Sequence, residues 1–259
     1  VGGGMAASMA AIEAKRHNLE VAIVDKGKLG LSGTSPRCGG AGNDWALIPP
    51  EFGGDPRDSH EAQLNDCVKG GEYLNAQEMT EIFGRESLER MVECEGFGIK
   101  YPRLSDGKYD CRKHLACTYP RGVLVAVGGS ETVMRTMREQ VVARCIKLYD
   151  YIMITRLLKN DGRITGAFGY GVKTGQLYAF KASVVILAAG SATAIYKHPT
   201  CENEVTGDAY YLAYRAGAGL MNMEFLQFSL ATRVKGIFIR KIGGIKPLTE
   251  SGARWINSL

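Results

Sequence analysis

Near its start the chain reads Val1-Gly2-Gly3-Gly4-Met5-Ala6-Ala7, and Gly2-x-Gly4-x-x-Ala7 has the spacing of a dinucleotide-binding turn. The first glycine of such a turn permits a tight bend, and the second lets backbone N–H groups reach a pyrophosphate. The third small residue packs a helix on a strand. Asp25 follows 23 residues after Gly2, close to the spacing of about 20 for an acid that accepts ribose hydroxyls. Lys26 to Asn43 then reads K-G-K-L-G-L-S-G-T-S-P-R-C-G-G-A-G-N, a long loop where a nicotinamide-binding unit would continue into a helix. Its Ser32, Gly33, Thr34, Gly39 and Gly40 offer backbone donors and hydroxyls suited to a flavin edge and its pyrophosphate. A surface loop of small residues is the plainer reading of the same stretch.

These residues need a strand–turn–helix frame to hold them. Ser8 to Arg16 is rich in alanine and other helix formers, and its N-terminus would bring partial positive charge to phosphates. Leu19 to Asp25 reads as a buried parallel strand ending in the acid. Asp58 to Glu95 is expected to be helical, and Gly98 to Tyr119 irregular. Gly129-Ser130 would cap a helix over Glu131 to Cys145. Tyr149 to Leu158, Ile164 to Val172 and Leu177 to Lys181 alternate as an antiparallel meander, turned at Asn160-Asp161-Gly162 and Thr174-Gly175. Ser183 to Gly190 reads as a second buried parallel strand, whose small-residue end would bring backbone to a ligand. The expected class is α/β: a doubly wound, Rossmann-like parallel sheet with an inserted antiparallel meander.

Composition narrows the choices. Lys and Arg number 32 against 27 Asp and Glu, a net charge of +5 spread along the chain. That spread gives no basic stripe for nucleic acid. Ala182 to Tyr196, the longest uncharged apolar run, has 15 residues, short of the roughly 20 that span a bilayer. There are 33 glycines in 259 residues, about 13% against a usual 7%, grouped at strand-like ends where backbone must approach a ligand. Seven cysteines without a Cys-x-x-Cys pair suit free thiols in a reducing compartment better than disulfides, zinc or iron–sulfur ligation. No metal site is expected. Val1 already lies inside the motif, so the sequence reads as truncated at its first strand.

With these motifs in hand, the chain resembles the FAD-binding domain of the succinate dehydrogenase/fumarate reductase flavoprotein family, nearest within it to the adenylylsulfate reductase α-subunit. The supporting stretches are Asp106-Gly107-Lys108-Tyr109, Tyr178-Ala179-Phe180-Lys181-Ala182 and Val185-Ile186-Leu187-Ala188-Ala189-Gly190-Ser191-Ala192-Thr193. To these add Thr206-Gly207-Asp208-Ala209, Arg215-Ala216-Gly217-Ala218 and Met223-Glu224-Phe225-Leu226-Gln227-Phe228, similar to the family's T-G-D-G…R-A-G…E-F-x-Q-F run. The resemblance implies FAD held by Gly2, Gly4, Ala7, Asp25, Lys26, Ser32, Gly33, Thr34, Gly39, Gly40, Ala189, Gly190 and Asp208. It further implies an FAD-binding domain over residues 1–228, lacking its C-terminal return, and the start of a capping domain over 229–259. An iron–sulfur partner subunit, a small anionic substrate and a cytoplasmic setting follow from it, with any membrane association made through partner subunits.

The departures carry as much information. Ser32-Gly33-Thr34 stands where membrane-bound members have the flavin-linking His of S-H-T, so the FAD is expected to be non-covalent. Ser229 replaces the dicarboxylate-binding His after the Q-F pair, which puts succinate and fumarate in doubt. Arg240-Lys241-Ile242-Gly243-Gly244 matches the family's R-G-E-G-G loosely, leaving Arg240 as the candidate catalytic residue, able to stabilise negative charge on a substrate, or as half of a solvated basic pair. Of His17, His60, His114 and His198, only His198 follows the flavin strand closely enough to face the ring, and each is more readily structural than catalytic. The expected function is an FAD-dependent oxidoreductase subunit passing hydride or electrons between a small anionic substrate and an iron–sulfur partner. The alternative is a flavin-bearing electron-transfer subunit without its own substrate, and a nicotinamide dehydrogenase is the weakest reading.

Overall fold

The computed structural model describes residues 1–37, 46–113, 117–123, 126–197, 199, 202–226, 232–234 and 237–239. The chain divides into two compact units. One takes in residues 1–7, 22–34 and 148–259, and the other residues 8–21 and 35–147.

The first unit holds the glycine turn, the start of helix α1 (Met5–Arg16) and strand β1 (Ala22–Asp25). β1 pairs with β2 (Lys147–Asp150) in a two-stranded sheet. The meander is present as expected: β3 (Ile152–Asn160), β4 (Arg163–Gly171) and β5 (Leu177–Lys181) form an antiparallel sheet in that order. The β3–β4 turn has Asp161 at φ 46° and Gly162 at φ 79°, the left-handed pair that a two-residue hairpin needs to match strand twist. Register runs from Asn160 opposite Arg163 to Ile152 opposite Gly171, with shifts after Ile154 and after Leu158. Tyr151, at φ 61°, separates β2 from β3, so the single strand expected over Tyr149–Leu158 is two. Helix α5 (Asp208–Ala216) contributes Leu212 to a core with Val24, Ile152, Ile154 and Ala167. Strands β6 (Thr232–Val234) and β7 (Ile237–Ile239) form a short antiparallel hairpin.

The buried strand expected over Ser183–Gly190 does not form. Val184 is 73% exposed and Ile186 51%. Its one ladder partner among the described residues is Val1, whose N-terminus donates to Ile186 O at 2.8 Å, while Ala188 N–H donates to Val1 O at 2.8 Å. That pair of bonds is a parallel bridge centred on Leu187. Gly2 N–H donates to Val24 O at 2.9 Å, which places the glycine turn between β1 and the 186–188 segment.

The second unit is mainly helical. Ser59 caps α2 (His60–Gly70), its hydroxyl accepting from Ala62 N–H at 3.1 Å. α2 ends before the left-handed residues Glu72 and Tyr73, and Asn75 Nδ2 donates to Cys67 O at 3.1 Å across the break. α3 (Gln77–Gly96) follows, burying Gly84, Ser87, Met91 and Cys94 at helical spacing. The helical stretch expected over Asp58–Glu95 is thus two helices, and Met79, Ile82 and Phe83 face outward. α4 (Gly129–Ala143) buries Val133, Met134, Met137 and Val141. It begins after a left-handed Gly128, and Ser130 sits inside its first turn, buried, without acting as the cap. Arg121 is 1% exposed. Its guanidinium grips Asp58 through Nε (2.8 Å) and Nη2 (2.6 Å), and Asp66 through Nη1 (2.8 Å). Asp66 also accepts from the N–H and hydroxyl of Thr118 at 2.8 and 2.6 Å.

Candidate functional site

Of the expected cofactor-binding residues, those among the described residues all fall in the first unit. Gly2 has φ 111°, and a Cβ there would lie 2.2 Å from Ala188 O. Only glycine fits at that approach. A Cβ on Gly3 would lie 2.4 Å from Asp25 Oδ2, so the acid at the end of β1 stands directly against the turn. Gly3 falls on an unspecified position of the spaced fingerprint, and the run of three glycines is the signal that could have marked it. α1 has no acidic residue in its first turn, which leaves its N-terminal partial charge uncompensated by its own side chains and suited to an anion. Ala7 is buried, as a helix-packing residue should be.

Asp25 and Ser32 come together as a unit. Ser32 Oγ lies 3.1 Å from Asp25 Oδ2 and 2.9 Å from Lys28 O, and accepts from Lys28 N–H at 2.8 Å. Burial pushes the Asp25 carboxyl above its ordinary range. The Ser32 hydroxyl and the Gly27 and Lys26 N–H groups pull against that, while the nearby Asp150 charge adds to it. The loop after β1 is anchored from below by Asp150, whose Oδ1 accepts from Leu29 N–H at 3.1 Å. Tyr151 N–H donates to Gly27 O at 2.7 Å, and Gly30 N–H to Gly3 O at 3.2 Å. The break between β2 and β3 thus has a use: it turns backbone and carboxylate toward this loop.

Lys26 and Asp208, both expected near the cofactor, are bonded to each other. Lys26 Nζ lies 2.5 Å from Asp208 Oδ2 and 2.6 Å from Thr206 Oγ1, and Thr206 Oγ1 lies 2.9 Å from Asp208 Oδ1. The pair is part-buried, with side chains 22% and 18% exposed. Gly207, at φ 81°, starts α5, and Asp208 occupies its first turn, where negative charge is favoured. Thr206, in the Thr206-Gly207-Asp208 block, carries no expected role from sequence, yet it ties the pair together.

Gly33 adopts φ 75° with nothing within 4 Å of a Cβ, so its glycine serves backbone conformation. Thr34 Oγ1 is buried and, among the described residues, has no hydrogen-bond partner. Gly190, at φ 79°, follows Ala189 beyond the Val1 bridge. Gly39, Gly40, His114, His198 and Arg240 lie outside the described residues. Among the described residues no group of three or more His, Cys, Asp or Glu side chains is arranged to hold a metal. No helix there is long and apolar enough to cross a membrane.

This arrangement fits a dinucleotide with a flavin end. A cradle at Gly2 and Gly3 is closed to any side chain, the N-terminus of α1 follows it, an acid borders it, and the buried Thr34 hydroxyl has no partner among the described residues. Comparison with known proteins agrees. The family model described as "FAD binding domain" matches residues 1–259. The chain is 33% identical over 229 residues to a subunit of the fumarate reductase (CoM/CoB) of Methanothermobacter marburgensis, covering 88% of this chain and 41% of that protein. Mycobacterium smegmatis Sdh1, solved in complex with UQ1, superposes with a TM-score of 0.83 at 33% identity, over 92% of this chain and 42% of that one. Adenylylsulfate reductase from Archaeoglobus fulgidus has a TM-score of 0.67 at 23% identity, over 83% and 35% of the two chains, a likeness of fold. The chain thus spans about two fifths of the length of the first two.

Proposed function

The chain belongs to the FAD binding domain family, and from that premise we propose that it is the flavin-bearing part of an oxidoreductase subunit of the fumarate reductase/adenylylsulfate reductase type. In this reading the whole protein passes hydride or electrons between a small anionic substrate and an iron–sulfur partner subunit. The observation that carries it is the glycine cradle bordered by Asp25, with the unpartnered Thr34 hydroxyl in the loop beyond.

Bound FAD supplies the redox step through its isoalloxazine ring, and the protein supplies orientation and electrostatics. The turn at Gly2–Gly4 and the start of α1 receive the pyrophosphate. Asp25, aligned by Ser32, accepts ribose hydroxyls. Ser32-Gly33-Thr34 has no side chain able to form the histidyl link, so the flavin is held without a covalent bond. Residues 1–228 make up an FAD domain of the doubly wound class and 229–259 begin a cap, which is where Arg240 would meet an anionic substrate. The setting proposed is cytoplasmic, with membrane contact made only through partner subunits. The second reading, an electron-transfer subunit without its own substrate, is favoured by Ser229 in place of the dicarboxylate-binding His.

The test is a visible absorption spectrum of the purified native protein, repeated on the supernatant after acid precipitation. Flavin bands that move to the supernatant are expected. Bands that stay with the pellet would refute the non-covalent assignment, and a colourless protein would refute the flavin reading itself. Oxidation of reduced viologen by a panel of small anions then separates the two functional readings, since the second requires that none be turned over.

A further inference from the structure

The stretch that joins Gly190 to α5 folds back on itself. Ala194 N–H donates to Val205 O at 2.9 Å and Gly207 N–H to Ser191 O at 3.1 Å, with Val205 buried between them. The fold-back sets the short 3-10 turn Thr193–Ile195 against the residues that lead into Asp208. Two side-chain oxygens are shut away from solvent in this stretch, Thr193 Oγ1 and Glu204 Oε2, and among the described residues neither has a hydrogen-bond partner. A buried polar group left unsatisfied is costly and uncommon in a native protein, unless a ligand completes it.

The chemistry of the pair limits what that ligand is. A carboxylate oxygen accepts only, so it needs an O–H or N–H donor. A phosphate offers neither at neutral pH and repels the charge, and a small anionic substrate is repelled in the same way. A hydroxyl meets either requirement, since it can donate to a carboxylate such as Glu204 and can accept from a hydroxyl such as Thr193. The location points the same way. Thr206, two residues beyond Glu204, is bonded to Lys26, which follows the ribose acid Asp25 in sequence.

We propose that Glu204 and Thr193 each bind a sugar or ribityl hydroxyl of the FAD, as further cofactor-holding residues. This rests on the flavin reading above. Neither residue is marked by spacing or motif, and only the burial of their oxygens singles them out.

Apoprotein is titrated with FAD by flavin fluorescence for the wild type, Glu204→Met, Glu204→Gln and Thr193→Val, and each apoprotein is melted. Glu204→Met and Thr193→Val are expected to weaken FAD binding about tenfold. Glu204→Gln, which keeps an acceptor, stays within about threefold of wild type. The apoprotein midpoints hold or rise, because an unsatisfied buried oxygen has been removed. Titration with ADP and with FMN then assigns the hydroxyl: loss of ADP affinity in Glu204→Met places it on the adenosine ribose, and loss of FMN affinity places it on the ribityl chain. Unchanged FAD affinity in both Glu204→Met and Thr193→Val overturns the proposal. So does an apoprotein midpoint that falls in step with affinity, since it would make the two residues structural. A wild type that takes up no FAD would instead remove the flavin reading on which the proposal stands.

Discussion

Replacing Lys26 by Met keeps an unbranched stem of similar reach and deletes the charge that joins the loop after β1 to the start of α5. Its ammonium makes two short contacts, to Asp208 and Thr206, and both charged side chains are less than a quarter exposed. Exposed ion pairs contribute about 0–1 kcal/mol, while breaking a fully buried one costs about 3–5 kcal/mol. This pair sits between those limits, and hydrogen bonds to charged groups are worth about 1.5–3 kcal/mol. We expect Lys26→Met to lower apoprotein stability by about 1–3 kcal/mol, measured by urea denaturation. A double-mutant cycle with Asp208→Asn isolates the pair itself, and a coupling of about 1–2 kcal/mol is expected. Because the pair is part-buried, raising the salt concentration should remove only a minor share of it. A coupling below about 0.3 kcal/mol, within the usual additivity error, would show that Lys26 and Asp208 act independently and that their contact does not fasten the cradle.

Two further outcomes follow from other buried charges. The folded Asp25 carboxyl titrates above its ordinary value of 3.8 because it is buried, so between the unfolded and folded pKa the native state binds the extra proton. Stability contributed at this residue is therefore highest at low pH and falls as pH rises through the folded value. FAD affinity runs the opposite way, declining on acidification through the same window as the ribose-accepting carboxylate is protonated; Asp25→Asn should flatten both profiles, and a wild-type FAD affinity that is level from neutral pH to below about 4 would count against the assignment. In the second unit, Arg121→Met strands the carboxylates of Asp58 and Asp66 against the Thr118 loop. A loss of about 3–5 kcal/mol is expected, with Arg121→Lys recovering little of it because one ammonium cannot reproduce the forked grip; thermal melts showing the Lys variant equal to wild type would contradict that geometry.

The parts of the fold that the sequence discloses are those governed by neighbouring residues. The glycine turn, α1, β1 and Asp25 are legible because their chemistry is local. So is the meander, because Asn160-Asp161-Gly162 demands a left-handed turn. The break between α2 and α3 is hidden although Gly70-Gly71 and Asn75 mark it, since the apolar residues beyond resume a helical rhythm. Ser183–Gly190 has the β-branched, apolar composition of a strand, and its parallel pairing runs to Val1, the first residue of the sequence, so among the described residues its ladder is a single bridge. At the site, residue type marks Asp25 and Ser32 separately, yet no pattern announces that they meet, nor that Lys26 and Asp208 bond to each other. The Lys26–Asp208 contact spans 182 residues and depends on where β1 and α5 deliver them. Thr193 and Glu204 are illegible altogether, because an unmet hydrogen bond exists only once a fold has enclosed it.

The same remoteness bears on how the protein acquires its flavin during synthesis. Gly2 finds its seat against Ala188, and Lys26 its anchor on Asp208, so a nascent chain that has exposed only its first half carries the glycine turn with nothing to close it. At about 5–20 residues per second, the ribosome takes roughly 10–40 s to travel from Gly2 to Asp208. Through that interval the turn belongs to an open chain, and FAD has no cradle to enter. On the proposed flavin reading, the cradle therefore closes no earlier than α5 emerges, long after the glycine motif itself has been made.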